Sequence, residues 1–194
     1  GIISDLTLSD VSISYTAPGD GRSYYFGCLV GYGTGTLRNC SVSGTLSLSL
    51  GASEEYGSNY LRAGGLIGYN GYGGALTGCK TDLTRLMQSA QTAGNGYLLY
   101  GGIAGENSGR ISLCESAGSM TFDARSSGAG AAVVAGGIVG EILENSIVLL
   151  SRSSAALRNT IIAQYDGSAM LGGLVGMSSG NMAACAAEGR IESE

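Results

Sequence analysis

The chain has 194 residues, of which 44% are apolar and only 13% charged, and its formal net charge is −5. These values exclude a disordered chain, which would be polar or highly charged, and the scattered basic residues form no patch that would bind nucleic acid. Thirty-five glycines accompany a single proline, which excludes collagen because collagen needs abundant proline with glycine at every third position. No apolar run is long enough to cross a bilayer, so no membrane insertion by this segment is expected.

The first predicted element is a half coil over residues 1–25. Its stretch LTLSDVSIS alternates apolar with small polar residues, which is the period of a half-buried strand. Ile3, Leu6 and Leu8 lie 34 residues before equivalent residues of the next segment. The chain therefore starts in the middle of a repeat, and GRIESE ends it in the middle of another, so we expect it to be part of a longer protein.

Five copies of a glycine motif follow along the chain. They read FGCLVG, AGGLIG, YGGIAG, AGGIVG and LGGLVG, at spacings of 37, 37, 35 and 36 residues. Full repeats are predicted to start near residues 26, 63, 100, 135 and 171, within one domain over residues 1–194. Agreement of several columns across five copies is a far stronger signal than a lone glycine motif.

Each repeat is predicted to form one coil of short strands. Glycine inside a helix costs about 1 kcal/mol per residue, and the helical spacing of apolar residues is absent. The predicted fold class is therefore all-β, a parallel β-helix (β-solenoid) of about five and a half coils of 35–37 residues. Strands of neighbouring coils would stack about 4.8 Å apart, with like residues on like.

Three columns of residues are predicted to stack in the core. The first is a central aliphatic ladder of Leu29, Leu66, Ile103, Ile138 and Leu174. The second is a cysteine ladder of Cys40, Cys79, Cys114 and Cys185, with Leu149 in the fourth copy. The third lies three residues earlier and consists of Leu37, Leu76, Ile111 and Met182. An unbroken strand cannot direct the second and third columns inward together, so a bend between them is required.

These columns carry a resemblance to a known family. The stretches GGLIGYNGYGGALTGCK, GGIAGENSGRISLCESAG and GGLVGMSSGNMAACAAEG resemble the GLUG-motif repeats of bacterial cell-surface proteins. The resemblance covers nearly the whole chain and implies a right-handed β-helix, an extracellular or cell-surface location and an adhesin-like, non-catalytic role. The fourth copy departs from the pattern, because GEILENSIVLL lacks the inner glycine and the cysteine.

The cysteines are interpreted as buried apolar residues. Zinc sites need close pairs such as C-x₂-C, and the cysteine column has none, its gaps being 39, 35 and 71 residues. A disulfide between stacked coils is an alternative, but parallel side chains strain its torsion. The small buried side chain is favoured. Cys28 differs, because it stands where the other four copies have glycine, and it is the cysteine expected to react first with a thiol reagent.

Catalysis is not expected. The chain has no histidine, which excludes Ser-His and Cys-His pairs and histidine metal ligands, and no cofactor or metal is predicted. Carboxylate chemistry stays open, since Glu106 and Glu141 share a column and paired carboxylates can act as acid and base. A solvated turn is the simpler interpretation of that pair.

The eleven tyrosines, against two phenylalanines, are the most suggestive residues. They concentrate around the glycine motif in the first three copies. One interpretation is that they cover loop stems; the other is a ligand face at Tyr32, Tyr69 and Tyr72, because exposed rings bind sugars and proteins with little entropy loss. The expected function is a non-enzymatic spacer or interaction scaffold for a host glycan or an extracellular protein. A carbohydrate-binding or carbohydrate-cleaving β-helix is the alternative.

Overall fold

The chain folds into a parallel β-solenoid. The computed structural model describes residues 1–18, 20–51, 59–91, 96–126, 132–159, 162–163 and 168–193. None of these residues is helical, and every strand pairing among them is parallel. The strands form four sheets, here called A to D. This confirms the fold class predicted from the alternating segments and the glycine motif.

Sheets C and D each contain five stacked strands. Those of sheet C are β3 (Ser23–Gly27), β7 (Asn59–Gly64), β11 (Gly96–Gly101), β15 (Ala132–Gly136) and β21 (Ser168–Gly172). Those of sheet D are β4 (Val30–Gly33), β8 (Ile67–Asn70), β12 (Ala104–Asn107), β16 (Val139–Ile142) and β22 (Val175–Ser178).

Sheets A and B each run along a path of six strands. Those of sheet A are β1 (Ile2–Ser4), β5 (Thr36–Arg38), β9 (Ala75–Thr77), β13 (Arg110–Ser112), β17 (Ile147–Leu149) and β23 (Asn181–Ala183). Those of sheet B are β2 (Thr7–Ala17), β6 (Ser41–Leu50), β10 (Lys80–Gln91), β14 (Glu115–Ser126), β18 (Arg152–Ser153) and β24 (Ala186–Ala187). Three further strands extend sheet B: β19 (Ala156–Asn159), β20 (Ile162–Ala163) and β25 (Ile191–Ser193).

Each coil visits the sheets in the order C, D, A and B. Five stacked strands are separated by four steps, so the chain makes about four turns from β3 to β21. The predicted count of about five and a half coils was slightly high, because it included the opening half coil and a short last coil. The residues at which the repeats were predicted to start are aligned with one another in sheet C. Residues 26, 63, 100, 135 and 171 pair in succession across its strands.

The central aliphatic ladder runs through the interior. Each member donates its backbone N–H to the carbonyl of the next, at 2.8–3.1 Å. Leu66, Ile103 and Ile138 are fully buried, whereas Leu29 and Leu174, in the first and last full coils, are half-buried. The stacking of like apolar residues on successive coils removes the ladder from water, which is the main favourable term in folding.

A left-handed residue produces the bend between sheets A and B. The residue before each cysteine position has φ between 49° and 65° in all six equivalent places: Asp5, Asn39, Gly78, Leu113, Leu150 and Ala184. A single residue in this region turns the chain sharply. The third column and the cysteine column can therefore both face inward, as the sequence required.

The fourth member of the cysteine ladder is Ser151, and the prediction of Leu149 was wrong. Leu149 pairs with Ser112 and is only half-buried, whereas the backbone N–H of Cys114 bonds to Ser151 Oγ at 3.2 Å. The fourth copy has a turn two residues longer than the first, like the second copy, and Asn145 with φ 61° stands there in place of Gly73 with φ 80°. Because the fourth copy is two residues longer in this turn, an alignment that allowed no insertion there placed Leu149 in the cysteine column instead of Ser151.

The interior is divided into two apolar clusters. One lies between sheets B and C and includes Leu46, Tyr100 and Met120, and the other lies between sheets A, B and D and includes the ladder and the cysteines. A wall of small residues separates them. At Gly102, for example, a Cβ would overlap Ser116 Oγ and the carbonyl of Gly137, so the glycine column permits the two sheets to approach closely.

Candidate binding surface at the corner of sheets C and D

The outward faces of sheets C and D meet at an angle and contact each other. The last glycine of each motif produces this angle: a Cβ at Gly140 would lie 2.6 Å from the backbone nitrogen of Tyr100 in sheet C. No larger residue fits there. The outward side chains along both sides of the angle form what we call the corner surface: Tyr25, Arg62, Leu99, Val134 and Met170 from sheet C, and Tyr32, Tyr69, Glu106, Glu141 and Met177 from sheet D.

A cluster of three tyrosines forms the first part of the corner surface. Tyr32 and Tyr69 are paired in register on neighbouring coils, with ring centroids 5.2 Å apart. Tyr25, from sheet C, lies 5.7 Å from Tyr32 and 6.0 Å from Tyr69. Tyr32 is 57% exposed and Tyr69 is half-buried. The predicted aromatic strip of Tyr32 and Tyr69 is therefore present, with Tyr25 as an additional member that sequence reasoning missed.

Among the described residues, Tyr72 makes no ring contact with this cluster. It is 83% exposed in the turn between β8 and β9. The ring contacts found among the described residues join Tyr32 to Tyr69 and Tyr25 and do not include Tyr72. Tyr56, a further tyrosine before the second glycine motif, lies outside the described residues.

Arg62 connects the tyrosines to the carboxylates. Its guanidinium lies 5.3 Å from the ring centre of Tyr25 and 5.1 Å from that of Tyr60, within the range of cation–π attraction. Its Nε also forms a salt bridge with Glu106. Strand alternation would have predicted that Arg62 faces outward, because its neighbours Leu61 and Ala63 are apolar. Both neighbours are fully buried in the structure. The contact with sheet D depends on the angle between sheets, which alternation does not encode.

Sheet C carries a second aromatic pair, on the neighbouring strands β7 and β11. Tyr60 and Tyr97 are stacked in parallel, with centroids 5.1 Å apart and an interplanar angle of 5°. Tyr97 is 38% exposed. Because Arg62 lies over the ring of Tyr60, this pair is continuous with the corner surface.

Glu106 and Glu141 are paired in register on β12 and β16. The interpretation of this pair as a solvated turn was wrong, since both residues lie in strands and Glu106 is only 6% exposed. Burial, and then the negative charge of Glu106, raise the pKa of Glu141. Two stacked carboxylates, one paired with Arg62, therefore follow the tyrosines along the corner.

The remaining coils continue the corner surface with apolar side chains. Leu99 and Val134 are buried in the angle between the sheets, whereas Met170 and Met177 are 38% and 37% exposed. The surface thus changes along the solenoid from tyrosines to carboxylates to methionines. Such a graded surface can contact an extended ligand that lies along the solenoid axis.

Comparison with protein families, with curated proteins and with solved structures gives no match to this chain. The fold and the corner surface define a parallel β-solenoid with an aromatic and acidic face. Within the described ranges, no three histidine, cysteine or carboxylate side chains come together as metal ligands. The same part of the chain contains no helix of the length and apolarity that a membrane span requires.

Proposed function

We propose that this chain is a non-enzymatic repeat module of a bacterial surface or secreted protein, serving as an adhesin-like spacer and interaction scaffold. The GLUG-type glycine motif supports the family and the extracellular setting. The solenoid supports the role, because stacked coils give a long, rigid body whose outward side chains form regular columns. The proposed partner is a host glycan or an extracellular protein.

The observation that carries the proposal is the exposed tyrosine cluster of the corner surface. Tyr25 and Tyr32 are exposed on two adjoining sheets, and Tyr69 lies half-buried against them with its hydroxyl hydrogen-bonded to Ser108 Oγ at 2.8 Å. Aromatic rings of this kind bury a large area on binding while few torsions are frozen. The flat ring faces suit a sugar, and the hydroxyl groups suit its polar substituents.

The test is a screen of the purified chain against a glycan array and immobilised matrix proteins. We expect a ligand whose affinity falls about tenfold or more when Tyr32 and Tyr69 are replaced by alanine. Tyr72→Ala is the matched control, since it removes an exposed ring outside the cluster and should leave affinity unchanged. Loss of binding only in Tyr72→Ala, or binding that all these variants retain, would contradict the proposed surface.

A carbohydrate-cleaving function is the second candidate, and it rests on Glu106 and Glu141. Neighbouring parallel strands lie about 4.8 Å apart, and retaining glycosidases hold their two carboxyl groups about 5–5.5 Å apart. The raised pKa of Glu141 suits a proton donor. Release of reducing sugar from a bound polysaccharide, abolished in Glu141→Gln, would favour this candidate over the non-enzymatic one.

A further inference from the structure

An arginine interrupts an apolar column inside the solenoid. Arg85 lies on β10, between Leu46 of β6 and Met120 of β14 in the register of sheet B. It is 1% exposed. A guanidinium keeps its charge at all physiological pH values, so a positive charge lies in the core.

Only part of this guanidinium is hydrogen-bonded. Its Nη2 donates to Thr81 Oγ1 at 2.8 Å, to the carbonyl of Gly102 at 3.2 Å and to Ser116 Oγ at 3.5 Å. Its Nε and Nη1 are buried and have no acceptor among the residues that the structure describes. Unpaired buried donors of this kind are costly and rare in folded proteins.

The hydroxyl of Tyr100 is a second unpaired polar group beside Arg85. Tyr100 is 0% exposed, and its hydroxyl has no hydrogen-bond partner in the described part of the chain. It precedes by two residues Gly102, whose carbonyl accepts from Arg85. Tyr100 also packs in the apolar cluster that contains Leu46 and Met120, the two residues that flank Arg85 in sheet B. The unpaired groups of Arg85 and Tyr100 therefore lie in one region of the core, and each is able to donate a hydrogen bond.

The neighbouring side chains supply no negative charge. Burial raises the pKa of Cys28 to about 11, so its thiol is neutral at physiological pH. Burial likewise raises the pKa of the Tyr100 hydroxyl. Asp82 is the remaining acidic neighbour, and it lies on the opposite, exposed face of β10. A buried charge without a counter-charge is strongly unfavourable, and the described residues supply none for this guanidinium.

We propose that the core binds a small monovalent anion, of the size of chloride, through Nε and Nη1 of Arg85 and the hydroxyl of Tyr100. These groups offer hydrogen-bond donors to an anion, and one negative charge matches the guanidinium. Arg85 and Tyr100 are both fully buried, so only a small ion would fit between close-packed neighbours. The site is internal and does not depend on the function proposed for the corner surface.

Thermal unfolding in sodium chloride and in sodium gluconate of equal ionic strength tests the site in solution. Gluconate is too large to enter. The melting temperature of the unmodified chain should rise by about 4 °C for each tenfold increase in chloride above its Kd, beyond any rise in gluconate. Arg85→Met should remain folded, because methionine suits the column that contains Met120, and should lose the chloride-specific rise. Tyr100→Phe should weaken it.

Equal slopes in chloride and gluconate for the unmodified chain would overturn the proposal, as would an undiminished chloride slope in Arg85→Met. A crystal structure in sodium bromide provides an independent readout. We expect an anomalous bromide peak within hydrogen-bonding distance of Arg85 Nε or Nη1 and of the Tyr100 hydroxyl. Water alone at that position would rule out the anion.

Discussion

At the scale of single residues, thiol and hydroxyl are interchangeable at the bend between sheets A and B. The Sγ of Cys114 donates to the carbonyl of Ser112 at 3.3 Å, and Ser151 Oγ donates to that of Leu149 at 2.9 Å. In both cases the acceptor is two residues earlier. From Cys40 to Cys185 the column therefore holds a small side chain with a hydrogen-bond donor, whereas Leu6, its member in the opening half coil, is 38% exposed.

This equivalence predicts the effect of substitutions at Cys114. Cys114→Ser keeps the bond to the carbonyl of Ser112 and should cost about 1 kcal/mol or less in the free energy of unfolding. Cys114→Leu loses that bond and overpacks a fully buried site, so it should cost about 1–3 kcal/mol. Urea denaturation of both variants checks this ranking. A leucine variant at least as stable as the serine variant would show that the column is simply apolar.

At the scale of strands, the alternating and repeated segments predicted most of the architecture. The strand columns, the ladder and the bend before each cysteine all follow from residues that are local in sequence. The contact between Arg62 and Glu106 could not be predicted, because it depends on how sharply the glycines bring sheet D against sheet C. Ser151 was missed because a two-residue insertion and a change from sulfur to oxygen occur in the same copy. No prediction was made for Arg85, because alternation along β10 is compatible with an inward position whereas the general rule that charges stay outside argues against it.

The pairing of β12 with β16 predicts a pH-dependent stability through Glu141. Burial and the charge of Glu106 raise its pKa in the folded state above its ordinary value of 4.5. Ionisation therefore disfavours the fold, and the stability contributed by the neutral carboxyl is lost as pH rises through the folded-state pKa. Glu141→Gln should match the unmodified chain in melting temperature near pH 4 and exceed it at pH 7.

Glu144→Gln is the control for this comparison, because it makes the same change of charge at an exposed turn residue after β16. Its difference from the unmodified chain should stay nearly constant over the same pH range. A melting temperature of Glu141→Gln that falls below that of the unmodified chain at pH 7 would mean that Arg62 compensates the second carboxylate fully.

At the scale of the whole molecule, the solenoid is well packed in the middle and exposed at its two ends. Ile2 of the first strand is 74% exposed, and Met182 and Ile191 of the last coil are 45% and 46% exposed. Met182 was predicted to lie in an inward column, but it is exposed on β23, the last strand of sheet A among the described residues. The end coils are therefore the parts of the described chain with the least burial.

This difference between middle and ends predicts the order of thiol reactivity. All five cysteines are free. Cys185, half-buried in the last coil, should react first with a thiol reagent, whereas the fully buried Cys40, Cys79 and Cys114 should react only after denaturation. Cys28 was expected to react early, but burial raises its pKa to about 11 and leaves little of the reactive thiolate. Cys185→Ser should abolish the fast phase; a fast phase that persists would contradict the order.

We propose above that the corner surface binds the partner, and tyrosine footprinting is the direct test of that claim. Hydroxyl-radical labelling of the unmodified chain would be measured with and without the glycan or matrix protein identified by the array screen. We predict that the ligand protects Tyr32 and Tyr69 and leaves Tyr72, in its exposed turn, labelled as before. Unchanged labelling of Tyr32 and Tyr69 in the saturated complex would contradict the claim.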